Sequence, residues 1–297
     1  YARALFAGEA KIDQARTFKV LDEIEALLGL VLKNEPGNFR ARLLGVHARL
    51  LRADSHSTEA QYAQTIALCK AALADLGTMA GHTSREKADI ALAREQANTL
   101  IGDATWYGGD QAGSLPWYQA GKTALNDPAL GSDVRVLKRR AYTTFTVASS
   151  LFGLGRKAEG VALSEAGLAE VERLRRFDDS ASARRMENIV REEYSYELQN
   201  TGRIAEAYRQ NDLAIAGYRE NARMQPNNYQ VLRALPVALR PSGELYRDTG
   251  NPAKACERFR EADAIWTRLA RENRVSAFDF GNDVKLIKAR LANCGPV

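Results

Sequence analysis

Basic side chains recur at one position relative to three evenly spaced glycines. Lys138, Arg185 and Arg233 each stand seventeen residues before such a glycine, and Arg139 and Arg184 flank two of them. Arg40 is expected to continue the row toward the start of the chain. Equivalent positions in stacked repeats lie in a row, so these side chains are predicted to form a basic ladder that binds a carboxylate, an acidic segment or a phosphate backbone. The alternative is that long basic side chains only solvate exposed helix faces.

Two of the three cysteines have the spacing of a pair. Cys256 lies near the start of the penultimate predicted helix and Cys294 at the end of the last one. If those helices turn back on each other near residue 275, the midpoint of the two cysteines, the thiols are neighbours and can form a disulfide in an oxidising compartment. The alternative is two independent small residues. Cys69 is expected to be an ordinary core residue.

The sequence contains no pattern that predicts catalysis. His47, His56 and His82 lack the spacing of a metal site or a catalytic triad, and no Walker loop, zinc cysteine pair, nucleophile elbow or kinase catalytic loop can be written. The stretch from Gly153 to Gly160 resembles a phosphate loop, but it follows a helical pattern rather than a strand. We therefore expect no enzymatic activity, no cofactor and no metal site.

The composition favours helices that could position these side chains. Of 297 residues, 45% are apolar, 27% are charged and only 8 are proline. The net charge of +5 permits contact with nucleic acid without requiring it. No apolar run reaches the roughly 18 residues of a membrane span. The sequence begins at Tyr1 rather than Met, which favours a piece of a longer protein.

Turn glycines and small residues mark a repeat. Gly109, Gly155, Gly202 and Gly250 are 46, 47 and 48 residues apart, where a left-handed backbone conformation ends one helix and lets the next fold back. Small residues stand seven before, five after and twelve after each glycine: Gly102, Ala148, Ser195, Gly243; Ser114, Gly160, Ala207, Ala255; Gly121, Gly167, Ala214, Ala262. Small side chains let two antiparallel helices approach closely, so each repeat is predicted to be a helix pair.

This pattern resembles the tetratricopeptide repeat (TPR). Residues 243–262 fit best and residues 101–121 second best, whereas Ser164 and Asn211 stand where the family usually has an aromatic residue. The family repeats about every 34 residues, and the longer period here is similar to the repeat regions of large bacterial regulatory proteins that carry a kinase or winged-helix domain. The resemblance covers residues 10–275 and implies an all-α fold, a right-handed α-solenoid of stacked antiparallel helix pairs.

The resemblance also implies a concave groove lined by the first helix of each pair. Residues expected to line it near the turns are Asp103, Trp106, Tyr142, Phe145, Glu192, Tyr196 and Glu244. Together with the basic ladder they would bind a partner segment. The alternative for each aromatic residue is a place in the core.

The helical pattern predicts one domain, residues 1–297, with about five helix pairs, an N-terminal half-repeat and a capping helix at 276–293. The predicted helices span 9–33, 38–53, 58–76, 85–107, 111–125, 132–153, 157–175, 181–200, 204–223, 229–248 and 252–273, followed by the cap. Pro236 and Pro241 predict a kink or break between residues 235 and 242.

The sequence is compatible with four classes of function. The leading one is a protein- or peptide-interaction or sensor module of a larger regulatory protein, which binds a partner segment, acidic where it meets the ladder, without catalysis. The alternative is a nucleic-acid-binding array that uses the ladder, which a sequence pI near 9.1 permits. An enzyme and a purely structural or dimerising spacer complete the set. Partner and oligomeric state stay open, and only the cysteine pair favours the periplasm over the cytoplasm.

Overall fold

The computed structural model describes residues 14–131, 133–275 and 279–295, and these residues form helices without strands. The α-helices are α1 (Gln14–Asn34), α2 (Phe39–Thr58), α3 (Tyr62–Gly77), α4 (Ser84–Tyr107), α5 (Gln111–Ala124), α6 (Val134–Gly153), α7 (Lys157–Arg175), α8 (Ala181–Asn200), α9 (Ile204–Met224), α10 (Tyr229–Asp248), α11 (Pro252–Arg271) and α12 (Lys285–Leu291). Helices α2 to α11 form five consecutive pairs, and α12 packs on α11.

Most predicted boundaries lie within a few residues of these helices. The largest difference is at the turn between α2 and α3, because α2 ends at Thr58 rather than at residue 53 and α3 begins at Tyr62 rather than at residue 58. Helix α1 is described from Gln14, so the predicted start at residue 9 lies outside the described residues. The predicted cap at 276–293 also begins outside them. Its described part is a π-helical turn, Phe280–Val284, that leads into α12.

Local capping explains where several helices begin. Thr83 Oγ1 accepts a hydrogen bond from the Glu86 N–H, and Glu86 Oε2 accepts one from the Thr83 N–H, both at 3.1 Å. Asn38 and Asn228 cap α2 and α10 with their side-chain oxygens. These bonds satisfy amide groups that the first helical turn leaves without a partner, so short sequence signals determine these helix starts.

The four turn glycines adopt the predicted conformation. Gly109, Gly155, Gly202 and Gly250 have φ values of +100°, +81°, +80° and +85°, and they are the positive-φ glycines among the described residues. In each turn, the N–H after the glycine donates to the carbonyl oxygen five residues earlier, as Arg203 does to Leu198 at 2.9 Å. The repeated bond closes these four pairs, α4–α5 to α10–α11, with the same tight turn.

Small residues allow close contact within the pairs. A Cβ atom on Gly102 of α4 would lie 2.5 Å from Cε1 of Tyr118 on α5, and one on Gly243 of α10 would meet the ring of Phe259 on α11. Ala214 and Ala262, at the later small position, are fully buried. The predicted small-and-aromatic register is therefore the actual contact between paired helices.

Helix α10 continues without interruption through Pro236 and Pro241. The predicted break between residues 235 and 242 is therefore wrong, and the kink that was its alternative stays a prediction. Each proline removes one backbone hydrogen bond. Against this loss, Leu232, Leu235 and Leu239 are buried in one apolar cluster with α11 residues. Burial of this face keeps the segment helical despite its low helix propensity.

Contacts within the chain divide it into two compact units, residues 1–177 and 178–297. Leu50, Cys69 and Leu76 belong to a core of the first unit, which confirms the core position of Cys69. Phe259 and Trp266 are the largest fully buried side chains and lie in the core of the second. A single domain of residues 1–297 stays a prediction. None of the described helices is long and apolar enough to cross a membrane.

Replacing Gly202 with Ala should lower the free energy of unfolding by about 1 kcal/mol, because a Cβ atom disfavours positive φ. The matched change is Gly29→Ala, since Gly29 lies inside α1 with no heavy atom within 4 Å of the added Cβ. That variant should be as stable as wild type or slightly more stable. Urea denaturation measures the stability of both variants. Equal denaturation midpoints for Gly202→Ala and Gly29→Ala would contradict the claim that the turn requires glycine.

Candidate functional site

Arginine side chains join neighbouring repeats. Four bridges link two helices at nearly the same position of successive repeats, and two link α10 to residues 279–283, before α12. Their sequence separations are 42 to 46 residues. The bridges are Arg135–Asp89, Arg139–Glu95, Arg219–Glu261, Arg258–Asp212, Arg233–Asp279 and Arg240–Asp283. A guanidinium group reaches a carboxylate on the next helix with two donors in one plane, which suits it to this role better than lysine.

The Arg139–Glu95 bridge is buried on its acidic side. Glu95 is 1% exposed, and the Arg139 side chain is 33% exposed. Arg139 Nε donates to Glu95 Oε2 at 2.6 Å, and Thr99 Oγ1 donates to Glu95 Oε1 at 2.9 Å. The guanidinium carbon also lies 4.7 Å from the ring centroid of Tyr142. Arg139 therefore neutralises a buried carboxylate between α4 and α6.

The remaining ladder residues have different surroundings. Arg233 bonds to the buried Asp279, and Arg184 Nε donates to Asp179 at 3.2 Å at the start of α8. Arg185 is exposed on α8, and Lys138 is half-buried on α6. A ligand-binding role for this row stays a prediction. For Arg139 and Arg233 it would require breaking a bond to a buried carboxylate, which costs several kcal/mol.

The predicted groove residues near the turns mostly contact a neighbouring helix. The Tyr118 hydroxyl donates to Asp103 Oδ1 at 2.9 Å, and burial raises the pKa of Asp103. Trp106 packs against α6, where its ring would lie 2.9 Å from a Cβ atom on Gly153. Tyr196, at 56% exposure, is the more open of these positions. Asp103 and Trp106 thus have packing roles, and their part in binding stays a prediction.

Glu192 has an altered acidity on α8. The Tyr218 hydroxyl donates to Glu192 Oε2 at 2.9 Å. Burial, reinforced by the adjacent Glu193 carboxylate, raises the pKa of Glu192 from its ordinary 4.5 to about 7. The bond from Tyr218 and the charge of Arg240 act in the opposite direction without cancelling the shift. This carboxyl group therefore takes up a proton near neutral pH.

Cys256 and Cys294 form a disulfide, with Cα atoms 5.8 Å apart. Cys256 lies in the first turns of α11, and Cys294 follows α12. The bond closes a stretch of 38 residues at the end of the second unit. Cys69 is a free, buried thiol.

A groove in the first unit lies between the first helices of two successive pairs. It has a volume of about 590 Å³ and is lined by Phe39, Arg40, Leu43, Leu44 and His47 of α2 and by Thr83, Arg85, Glu86 and Asp89 at the start of α4. We call it the α2–α4 groove. Leu44 is 53% exposed, and Phe39 and His47 are half-buried. Arg85 also lines a second cavity of about 420 Å³ beside it.

The charges around this groove are unevenly matched. Glu86 accepts hydrogen bonds from backbone N–H groups at the start of α4, and Asp89 binds Arg135. Arg40 and Arg85 are exposed, and among the described residues the side chain of neither makes an ion pair or a hydrogen bond. The groove therefore combines two guanidinium groups that make no ion pair, because its two carboxylates are engaged elsewhere, with apolar side chains in water.

The comparisons with known proteins concern the fold. No protein-family model matches the chain, and no curated protein sequence matches it. The crystal structure of BtubC (BKLC) from P. vanneervenii is similar over 88% of this chain and 93% of that chain, with a TM-score of 0.67 and 13% identity. A structure of nearly identical TPR-like repeats from Podosopora anserina covers 76% of this chain and 96% of its own, with a TM-score of 0.50 and 14% identity.

This chain has the TPR-like fold. The all-α solenoid architecture expected from the resemblance is thereby confirmed, as are the helix pairs that build it. At 13% and 14% identity the likeness concerns the fold alone.

Of the residues of the α2–α4 groove, the ladder pattern pointed to Arg40 alone, and the aromatic pattern pointed to none. The aromatic positions lie near the turns, whereas the ladder positions lie near the starts of α6, α8 and α10, seventeen residues before a turn glycine. Arg85 stands 24 residues before Gly109 and so falls outside that register. One signal was available: Arg40 and Arg85 both follow closely after a helix N-cap, Asn38 and Thr83. A cation in the first turn opposes the helix dipole, so its placement there suggests a purpose other than helix stability.

Replacing Arg139 with Met should lower the free energy of unfolding by about 3–5 kcal/mol, since it leaves the Glu95 carboxylate buried without a counter-charge. Adding Glu95→Gln to this variant should restore much of the loss. Arg156→Met is the matched control, because Arg156 pairs with Glu159 in solvent and should change stability little. Denaturation curves of wild type and the three variants measure these differences in stability. If Arg139→Met were as stable as Arg156→Met, the bridge would not neutralise a buried carboxylate.

The stability of the second unit should depend on pH through Glu192. Because the folded pKa of about 7 exceeds the ordinary 4.5, the folded state binds this proton more tightly than the unfolded state does. Its stabilising contribution is complete below pH 4.5 and is lost as the pH rises through 7. Glu192→Gln should therefore be more stable than wild type at pH 8 and show a flatter profile between pH 5 and 8.

Glu206→Gln is the control for this titration. The Arg203 side chain lowers the pKa of Glu206, so its contribution has the opposite sign. Thermal unfolding at several pH values separates the two variants, and parallel profiles for Glu192→Gln and wild type would show that Glu192 does not titrate as stated.

Proposed function

We propose that this chain is a protein-interaction module without catalytic activity, and that its first unit binds a partner segment in the α2–α4 groove. The segment carries a carboxylate, which bonds to Arg40 and Arg85, and an apolar side chain, which covers Leu44. The observation that supports this proposal is the pair of exposed guanidinium groups that have no counter-charge beside an exposed leucine.

The energetics favour a ligand at this place over bulk water. A carboxylate can accept several charge-assisted hydrogen bonds from an arginine pair, and each is worth about 1.5–3 kcal/mol. Covering Leu44 and the edge of Phe39 adds the hydrophobic term that surface ion pairs lack. Both helices are held by the packed core of the first unit, so the backbone that carries the two arginines is already in place. Ordering each exposed arginine side chain costs about 0.5–1.5 kcal/mol, which the charge-assisted bonds must exceed.

Nucleic acid is the weaker candidate. Binding of a phosphate backbone relies on a row of cations that release counter-ions. In this chain, Arg139 and Arg233 of the predicted ladder already bond to buried carboxylates. The arginines without a counter-charge lie beside apolar side chains, which suits a peptide better than a phosphodiester chain. The role within a larger regulatory protein is part of the same proposal.

The test selects short peptides from a displayed random library on the intact chain and measures their affinity by fluorescence anisotropy. Selected peptides should contain Asp or Glu near a leucine or an aromatic residue. The variant Arg40→Glu with Arg85→Glu should bind them at least about tenfold more weakly, because loss of two charge-assisted bonds is worth more than 1.4 kcal/mol.

The matched control is Arg173→Glu with Arg176→Glu, which makes the same change of charge on exposed arginines at the end of α7, away from the groove. It should retain wild-type affinity. If both double variants lose binding equally, the effect is one of net charge rather than of the groove. If single-stranded DNA or RNA competes with the peptides and binding falls steeply with salt, the nucleic-acid function replaces this one.

A further inference from the structure

The end of the chain packs as a separate layer on the last helix pair. We call residues 279–295 the C-terminal cap. Val284 and Ile287 of the cap are buried in the same apolar cluster as Trp266 and Leu269 of α11. The cap begins with the π-helical turn Phe280–Val284, which is a less regular hydrogen-bonding pattern than the helices it covers.

Two buried aspartates of the cap bind two arginines of α10. Asp279 is 1% exposed and accepts hydrogen bonds from Arg233 Nε at 2.9 Å to each of its oxygens. Asp283 is 4% exposed and accepts one from Arg240 Nε at 2.8 Å. Tyr229 adds a bond to Asp279 at 3.3 Å. Cap and helix thus meet through carboxylates four residues apart and guanidinium groups seven residues apart.

The disulfide holds the far end of this layer. Cys294 closes the cap and is bonded to Cys256 at the start of α11, while the near end of the cap follows α11 along the chain. Undocking with the bond intact leaves a segment fixed at both ends, which gains little conformational entropy. Once the bond is reduced, the segment is held at one end and its undocking is correspondingly easier.

We propose that the cap is an internal occupant of a docking face on α10 and α11, and that the Cys256–Cys294 disulfide locks it there. The occupant that replaces it is an amphipathic helix of a partner protein, with two carboxylates one turn apart for Arg233 and Arg240 and aliphatic residues for the core. The bound cap itself displays this chemistry in Asp279, Asp283, Val284 and Ile287. This face belongs to the second unit and is independent of the α2–α4 groove.

The opening step is thiol–disulfide exchange with a dithiol reductant. A thiolate of the reductant attacks one sulfur of the disulfide and releases the other as a thiolate. The second thiolate of the reductant then displaces the remaining cysteine and closes its own disulfide. Cys256 and Cys294 end as thiols with one proton each, and the reductant has lost two electrons and two protons.

The probe for the test is a fluorescent peptide of residues 279–291 of this chain. The protein is the full chain with Asp279→Asn and Asp283→Asn, which weakens the internal cap without altering the face. After reduction with dithiothreitol, the peptide should bind at least about tenfold more tightly than to the oxidised protein, because the fraction of open face rises. The same chain with Cys294→Ser should bind without reductant.

Two controls make the outcome decisive. A peptide with Asn in place of both aspartates should bind poorly. The peptide should also bind poorly to a protein that additionally carries Arg233→Gln and Arg240→Gln.

Amide hydrogen exchange of residues 285–291 should increase on reduction of the wild-type chain, which shows cap opening even if peptide affinity is low. Equal exchange and equal peptide binding in oxidised and reduced protein would overturn the proposal. If the reduced protein forms concentration-dependent dimers and binds no peptide, the occupant of the face is the cap of a second copy of the chain, and the partner helix is excluded.

Discussion

The close approach of two helices within each pair is the constraint on which the rest of this structure depends. Gly102 and Gly243 leave room for the rings of Tyr118 and Phe259, so backbone and ring are in contact. The pair α8–α9 lacks the aromatic residue and has Asn211 there, which accepts a hydrogen bond from Ser242 of α10 at 2.6 Å. Where the ring is missing, a polar contact to the next pair occupies the position. The seam therefore tolerates different chemistry as long as the residues facing it stay small.

Ion pairs between successive pairs follow from that stacking. Because equivalent helices lie side by side, an arginine on one repeat meets a carboxylate about one period away, as in Arg139–Glu95 and Arg258–Asp212. Most of these bonds involve a carboxylate that is at least partly buried, so removing one partner of such a bond is costly. Six arginines of the described residues are used in this way.

Of the two proposed interaction surfaces, one is exposed to solvent and the other is covered by a segment of the same chain. The α2–α4 groove is open, since Arg40 and Arg85 have no counter-charge and Leu44 is exposed. The face on α10 and α11 is occupied by the chain's own cap, whose aspartates satisfy Arg233 and Arg240. An open site responds to the concentration of its partner, whereas an occupied site responds to whatever weakens the occupant. The disulfide offers one such control in the second unit.

By itself, the amino-acid sequence determined the elements and their pairing. Turn glycines, N-caps and small residues act through local backbone sterics and short-range hydrogen bonds, so the turns at Gly155 and Gly202 and the contact of Gly243 with the following helix were predictable. The predicted hairpin of the last two helices likewise placed Cys256 and Cys294 next to each other. What only the tertiary structure decided is which charges remain unmatched. Arg139 and Arg85 look alike in sequence, but a carboxylate on a neighbouring repeat lies within reach of the first and not of the second. That difference depends on distances across the stack, which no local pattern contains.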